Sequence, residues 1–498
     1  MGLLYIGAES IIGSMELRSV YIVRVARRMI VAVAICALAM LTPGCFRGAI
    51  DPTLGGLEVQ VTFDYKGHYL NHTNCFSSDD KWIVYDTRLG PGTIARSGVI
   101  EKVNIRTGEM MVVYRTPNQN EFGPGAGAAG WNPVNDRIVF TRGLLGSNSL
   151  KPYGPWRRGG VIVDASDPTK AIHADGRDIT PRFTPGALRG GTYGHTWSGD
   201  GKWISFTYHD MVLGMLGKAQ RKRLDLRTIG VMAPIRAVKV DRDAEGENID
   251  GEMFSVLAVR VNGDMKRQGD EIDRAYNPSW VGVNGYVKPD GSRQKRALAF
   301  QGIVLNDESE SVAEVFIVDL PDRIDTPGDH GPLQGTPTMR PMPPKGAAQR
   351  RLTDNTKRKY PGIQGPLHWL KSSADGKWIA YLAKDDNGAS QIHLVSPNGG
   401  KSIQLTNNKW ALDSPFDWSP GGRYIAYAMD NSIFVTDTKP GETFGRTTRI
   451  TERTDDDRKP ESHAVVWSNR GDMIAFSRRI KHADIRWPQI FIVKLRRK

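Results

Sequence analysis

Ten histidines are spread over the 498 residues, and three of them share a spacing that could gather chemistry. His72 lies ten residues before Trp82, His368 ten before Trp378 and His463 ten before Met473, and each later residue opens a strand-like run. A fourth copy of the run, opened by Trp203, has Tyr193 at that place and His195 two residues on. Neutral imidazoles converging on one small volume could hold a divalent cation such as Mn, Zn or Ca, with His72, His368 and His463 as ligands. Imidazole also titrates near neutrality, so His195, with Tyr193 beside it, is a candidate for general-base work. Gln364 and Asp417 fall near the same level of their own copies and could complete one ligand-binding mouth. The same imidazoles could instead be solvated, or could cap neighbouring loops, and both readings stay open at this point.

Those positions meet only if the repeats that carry them surround one axis. The clearest repeat units run 417–427, 373–381 and 197–206, with looser copies at 76–85, 131–140 and 467–476. In each, a short strand carrying Trp or Phe ends in an Asp/Gly turn, where glycine can take a positive φ. An alternating aromatic and β-branched strand follows. Third-strand runs appear at 315–318, 392–395, 433–435 and 490–493. Fourth strands carry a small tag: Leu352-Thr353, Leu405-Thr406, Ile450-Thr451 and, less cleanly, Ile179-Thr180.

Four short antiparallel strands per repeat make the blade of a propeller, and a blade cannot cover both its faces alone. The expectation is an all-β, seven-bladed β-propeller with blades near 66–117, 126–181, 189–263, 270–353, 362–408, 412–453 and 461–498. The last copy lacks a Leu-Thr strand, while an orphan of that type, 59–62, precedes the first blade. That strand should complete the final blade and close the ring. Insertions are expected near 210–250 and 324–350, and the run 253–259 could belong to blade three, to blade four or to an extra blade.

The first 45 residues read as an address. Arg24, Arg27 and Arg28 precede an apolar run from Met29 to Leu41 that ends at Pro43-Gly44-Cys45. A basic stretch, a short apolar core and a small-residue exit describe a secretory signal, too short to span a bilayer comfortably. Cys45 is placed as a lipidation site, which makes the protein periplasmic or membrane-anchored in a bacterial envelope; plain cleavage and release is the alternative. Residues 46–55 then serve as a linker and 56–498 as one propeller domain. With Cys36 removed and Cys45 acylated, Cys75 is the remaining thiol and core packing alone must hold the fold.

The formal charge of +13 falls mainly on the body and not on the leader. Such a surface attracts acidic glycans or anionic headgroups through a screened field. The Trp residues recur at repeat positions, so they read as core and not as a nucleic-acid stacking platform. Gly125, Gly127 and Gly130 match a dinucleotide fingerprint in letters only, because a strand follows where a helix is needed. No Walker loop, nucleophile elbow, His-Glu-x-x-His or Cys-x-x-Cys occurs.

The repeats resemble the TolB-type, WD40-like blades of bacterial envelope proteins. The body from about residue 56 onward resembles the uncharacterised YidR-like family, through 103–108, 184–191, 349–353 and 385–388. That resemblance implies the fold and no activity. A weaker similarity to oligogalacturonate lyase, in which channel-mouth His and Gln residues hold a metal beside a uronate, implies a metal-dependent lyase acting on acidic oligosaccharides. The leading expectation is a propeller that binds an envelope protein or a small ligand at one face of its channel, with the lyase as alternative.

Overall fold

The serine of the repeat explains the first hairpin of the blades. In the computed structural model, which describes residues 50–217, 226–266, 269–366 and 369–497, one serine hydroxyl caps the turn in five blades. Ser77, Ser198, Ser373, Ser419 and Ser468 accept the backbone N–H of Trp82, Trp203, Trp378, Tyr424 and Met473 at 2.9–3.1 Å. Three residues after each serine the chain turns left-handed, at Asp80, Gly201, Gly376, Gly422 and Gly471, with φ from 58 to 72°. Glycine adopts that region without a steric penalty, which is why the repeat reads Asp-Gly there. The leader with Cys45, His368 and the basic run 218–223 lie outside the described residues.

Seven blades follow, with paired strands over 69–115, 126–173, 190–257, 275–351, 371–404, 416–449 and 460–495. The innermost segment of blade one pairs through two isolated bridges, Tyr69 with Asp86 and Phe76 with Ile83. The strand Phe254–Leu257 is the fourth of blade three, which assigns the run 253–259. The chain after Ala233 then makes an excursion over blade two, bridging Ile249 to Arg177 and Met253 to Asp175.

Side chains alternate across each strand, so one strand feeds two cores. Ile379, Tyr381 and Ala383 pack toward blade four, whereas Ala380 and Leu382 pack toward blade six. Among the described residues the buried apolar side chains form seven clusters, one at each junction between adjacent blades. The cluster joining blade seven to blade one contains Ala464, Val466, Ala475, Ile83, Tyr85 and Val103. Residues Ile50–Arg496 thereby form one compact unit.

The ring closes as expected, with a shift. The closing strand is Gly56–Gln60, antiparallel to Ile485–Leu495, with Gly56 opposite Leu495 and Gln60 opposite Phe491. Val61 and Thr62 form its end: Val61 N–H donates to Ile490 O at 2.8 Å, and Thr62 Oγ1 accepts Ile490 N–H at 2.9 Å. The same bond recurs at Thr353, Thr406 and Thr451, which accept Val315, Ile392 and Ile433 N–H at 2.9–3.0 Å. The Leu/Ile-Thr tags therefore lie just past the fourth strands, which end at Arg351, Gln404 and Arg449. A hydroxyl continues the ladder where the backbone has begun to leave it. Ile179-Thr180 is a different case. Blade two's fourth strand is Ala171–His173, and Thr180 Oγ1 accepts from Asn248 Nδ2 on the excursion.

Thr62 is 1% exposed and also donates to Gln489 Oε1 at 2.7 Å. Replacing it by the isosteric valine orphans a buried N–H and a buried amide oxygen, which typically costs about 1–3 kcal/mol each. Thr62→Val should lower the urea midpoint measurably more than Thr107→Val in an exposed turn; equal midpoints would mean that closure does not rest on this hydroxyl.

Candidate functional site at the channel mouth

Each innermost strand enters the channel from one face, and one residue per blade marks the same level there. Tyr69 lies opposite Asp86, Gly127 opposite Thr141, Tyr193 opposite Thr207 and Tyr276 opposite Gln301. Gln364 N–H bonds Leu382 O at 3.0 Å and Asp413 N–H bonds Ala428 O at 2.9 Å at the equivalent places. In blade seven Glu461 follows Pro460, whose partner is Arg478.

Just past this level the inner strands bulge. In blades two, three and four, three steps along the inner strand match two on its partner. Ala128, Gly194 and Asn277 follow the level residue there, with φ of 57, 69 and 56°. Ala128 N–H donates to Asp86 Oδ2 at 2.9 Å and Asn277 N–H to Thr207 Oγ1 at 3.4 Å, each on the preceding blade. A bulge thus releases an amide from its own sheet and ties it to the neighbour. Farther in, the indoles of Trp280, Trp418 and Trp467 donate to Thr196 O, Lys371 O and Asp417 O at 3.0–3.1 Å.

The bulges also explain why the histidine spacing does not carry into space. In blades one and seven the inner segment loops out between Tyr69 and Phe76, and between Pro460 and Val465. His72 sits within the first of these stretches and His463 within the second, an unpaired part of the strand Pro460–Trp467, whereas Tyr193 begins a short bulge at the mouth level. Counting ten residues back across loops of unequal length therefore joins positions that are not equivalent. In blades two, three and four the level is legible from the inner tryptophan: Gly127, Tyr193 and Tyr276 each lie four residues before Trp131, Trp197 and Trp280.

The predicted site residues divide accordingly. Tyr193 and Gln364 are at the mouth. The His72 ring stacks on Trp369 at 3.8 Å, and its carbonyl accepts from Lys371 Nζ at 2.9 Å. Asp417 lies toward the opposite end, with its Oδ1 3.3 Å from Lys371 Nζ, beside a cavity of about 210 Å³ that Trp280 and Trp418 also line. His463 stacks at 3.9 Å on Tyr69, itself at the mouth level, and so borders the mouth. His195 is buried, and its two ring nitrogens meet Thr141 Oγ1 at 3.1 Å and Thr192 Oγ1 at 3.0 Å. Both nitrogens are thus occupied, which leaves none for a substrate proton. Among the described residues no three His, Cys, Asp or Glu side chains gather as a metal site. His72 and His463, each stacked on a different aromatic ring, do not form a shared cradle for a cation.

What the mouth does gather is guanidinium. Arg158 stands over the Tyr193 ring at 3.9 Å, and Arg227 lies 5.9 Å from that ring and 5.7 Å from the Tyr276 ring. Arg227 Nε donates to His209 Nε2 at 3.1 Å. Burial, then the charges of Arg227 and Arg158, push His209 down to about 3, so it is the neutral acceptor that this bond needs. Arg158 donates to Tyr153 OH at 3.2 Å, and its Nε is buried without a partner. Other mouth arginines have carboxylates at 2.6–3.1 Å: Arg88 with Asp86, Arg274 with Asp273, Arg479 with Glu461. Among the described residues Arg158 and Arg227 have none. Asp413 and Glu461 stand at this level in blades six and seven, Glu461 paired with Arg479. No signal in the sequence marked Arg158 or Arg227, because neither lies in the repeat unit that carries Tyr193.

Comparison with known proteins places this geometry in context. Residues 125–247 match the family described as "Protein of unknown function (DUF3748)". Over 422 residues the chain is 37% identical to the uncharacterized protein YidR of Escherichia coli (strain K12), spanning 84% of this chain and 94% of that one. The oligogalacturonate lyase of Vibrio parahaemolyticus superposes with a TM-score of 0.51 at 9% identity, covering 90% of this chain and 96% of its own. An oligogalacturonate lyase in complex with manganese gives a TM-score of 0.48 at 11% identity, covering 89% and 98%. The Vibrio likeness is one of fold.

Buried imidazoles give the mouth a pH dependence. Burial, then the charge of Arg158, pushes His195 down to about 3, and His463 is likewise near 3 through burial, Arg88 and Arg479. In the unfolded chain both titrate near 6.5, so below that pH the unfolded state binds more protons and stability falls as pH drops toward the folded value. Each such group withdraws about 1.4 kcal/mol per pH unit in that window. The melting temperature should fall between pH 7 and pH 4.5, and His195→Gln should flatten the slope; an unchanged slope would place His195 in solvent.

Proposed function

The chain belongs to the YidR family, and we propose that the mouth of its channel binds a small acidic ligand, with acidic oligosaccharides as the class. The observation that carries this reading is the Arg158–Tyr193–Arg227 group: two guanidiniums on one aromatic ring with no carboxylate partner among the described residues. A guanidinium offers planar paired donors to a carboxylate, and such charge-assisted bonds are the strong ones. Tyr193 and Tyr276 supply flat apolar surface beside the donors, as a sugar ring requires, and His209 holds Arg227 in place without competing for the anion. Aromatic surface with a few convergent polar groups is a usual lining where small ligands bind. In this reading the N-terminal address and Cys45 deliver the site to the bacterial envelope, where it meets exported acidic glycans.

Calorimetric titration with a uronate trisaccharide and with a neutral trisaccharide of the same length tests this. The uronate should bind and the neutral sugar should not, and Arg158→Ala or Arg227→Ala should each weaken binding by about ten- to a hundredfold, the usual range for a hydrogen bond to a charged group. Equal binding of both sugars, or indifference to both substitutions, would sink the proposal. Release of an unsaturated, ultraviolet-absorbing uronate during the titration would replace simple binding with the lyase reaction.

A further inference from the structure

A second basic recess lies on the outer rim, away from the mouth, and it does not depend on the reading above. It forms where the excursion between the third and fourth strands of blade three folds back over the edge of blade two. The cavity, of about 320 Å³, is lined by Arg142, Leu145, His173, Arg242, Ile249 and Asp250 among others. Arg142 is on the second strand of blade two, and only 6% of it is exposed. Its Nε donates to Gly143 O at 3.2 Å, its Nη1 to Tyr114 OH at 3.0 Å, and its Nη2 meets His173 Nε2 at 2.8 Å. All three partners lack charge. His173 is pushed down to about 4 by burial and by the charges of Arg142 and Arg242, so at neutral pH it accepts from Arg142. A guanidinium carries five N–H groups, so two of Arg142's are left over among the described residues.

The neighbouring arginines show how this excursion treats a cation that is purely structural. Glu247, 4% exposed, accepts Arg157 Nε at 2.9 Å and Arg177 Nη2 at 3.1 Å. Two guanidiniums, Arg177 buried and Arg157 nearly so, thus share a carboxylate brought in for them. Arg142 receives none: among the described residues no acidic oxygen lies within ion-pairing distance. The acid nearest to serving the cavity is Asp250, which is already engaged by Lys239 Nζ at 3.0 Å and Val240 N–H at 3.0 Å, with Arg242 Nη2 at 3.7 Å. Leaving a charge buried without a counter-charge is among the costlier arrangements in a fold.

We infer that this rim recess is an oxyanion site, in which Arg142 and Arg242 hold a single phosphate-, sulfate- or carboxylate-sized group against neutral His173. Arg142 supplies the buried, pre-oriented donors. Arg242, largely exposed on the excursion, closes the recess from the solvent side and lets the ion enter and leave.

The test is titration of the purified chain with phosphate, sulfate or acetate at fixed ionic strength set by chloride, read by calorimetry and by melting temperature. At least one of the three should bind saturably and raise the melting temperature. Arg142→Gln should weaken that binding by about tenfold or more, the loss expected for one charge-assisted contact. Arg242→Gln changes an exposed side chain, so it should keep the wild-type melting temperature in chloride and still weaken the ion, which separates binding from folding. Arg158→Ala at the mouth should leave it unaltered. Absence of binding by all three ions overturns the inference. So does binding that survives both rim substitutions, or binding that Arg158→Ala abolishes.

Discussion

Closure of the ring is the constraint on which the rest of this structure depends. A blade presents two apolar faces, and each of the seven buried clusters is built from two adjacent blades. If the ring stayed open, two faces would be left to water at once. That junction is secured by a strand from the start of the domain, Gly56–Gln60, laid on the last strand of the chain. Thr62 repeats there the hydroxyl-to-amide bond that ends the outer strands of blades four, five and six. Blade seven is therefore an ordinary repeat assembled from both ends of the domain, and opening it exposes the edge of Ile485–Leu495.

Closure also fixes what can happen along the axis. Indoles of three inner strands donate to the backbone of the preceding blade, and bulge amides of two blades donate to a side chain of the preceding blade. These bonds hold adjacent inner strands at one height, so that residues far apart in sequence share the mouth. The bulge is what makes the mouth usable. It interrupts pairing just past Tyr193 and Tyr276, so these rings lie at the rim and beside Arg158 and Arg227. A regular strand would have turned alternate residues into the blade-to-blade cores.

Much of this was legible in the sequence wherever a local interaction sets the spacing. The serine cap and left-handed residue lie within six residues, so the repeat, the blade count and the place of the closing strand could all be read. The Thr tags were visible too, although their position just beyond the strands was not, because a hydroxyl bonding an amide looks like strand continuation in letters. The histidine register failed for a definable reason. It was counted from the second strand back across the inner segment, where the inserted length differs between blades, so the same count reaches different pairing positions: Tyr193 is paired opposite Thr207, whereas His72 and His463 fall where pairing is interrupted. Counting from the inner tryptophan keeps the level in blades two, three and four, and not in blades six and seven, where Asp413 and Glu461 lie five and six residues before Trp418 and Trp467. Ile179-Thr180 imitated a tag while serving the excursion through Asn248. Arg158 and Arg227 were invisible because each reaches Tyr193 from a third-strand edge, one in the same blade and one in the blade before.

The arginines of this protein fall into two classes, and the division bears directly on function. Arg88, Arg157, Arg177, Arg189 and Arg478 are buried or nearly so, and each has a carboxylate at 2.6–3.1 Å. They behave as structural cations, neutralised where they stand. Arg158, Arg227 and Arg142 meet phenols, imidazoles and carbonyls instead. Had stability alone shaped those positions, an apolar side chain of similar volume would serve at least as well, since unpaired buried charge is destabilising. The imidazoles beside Arg227 and Arg142, His209 and His173, are both held neutral, so neither adds a repelling charge. Arg142 is buried and Arg158 and Arg227 are partly so, and each is oriented by neutral partners, which is the property that the proposed anion sites draw on.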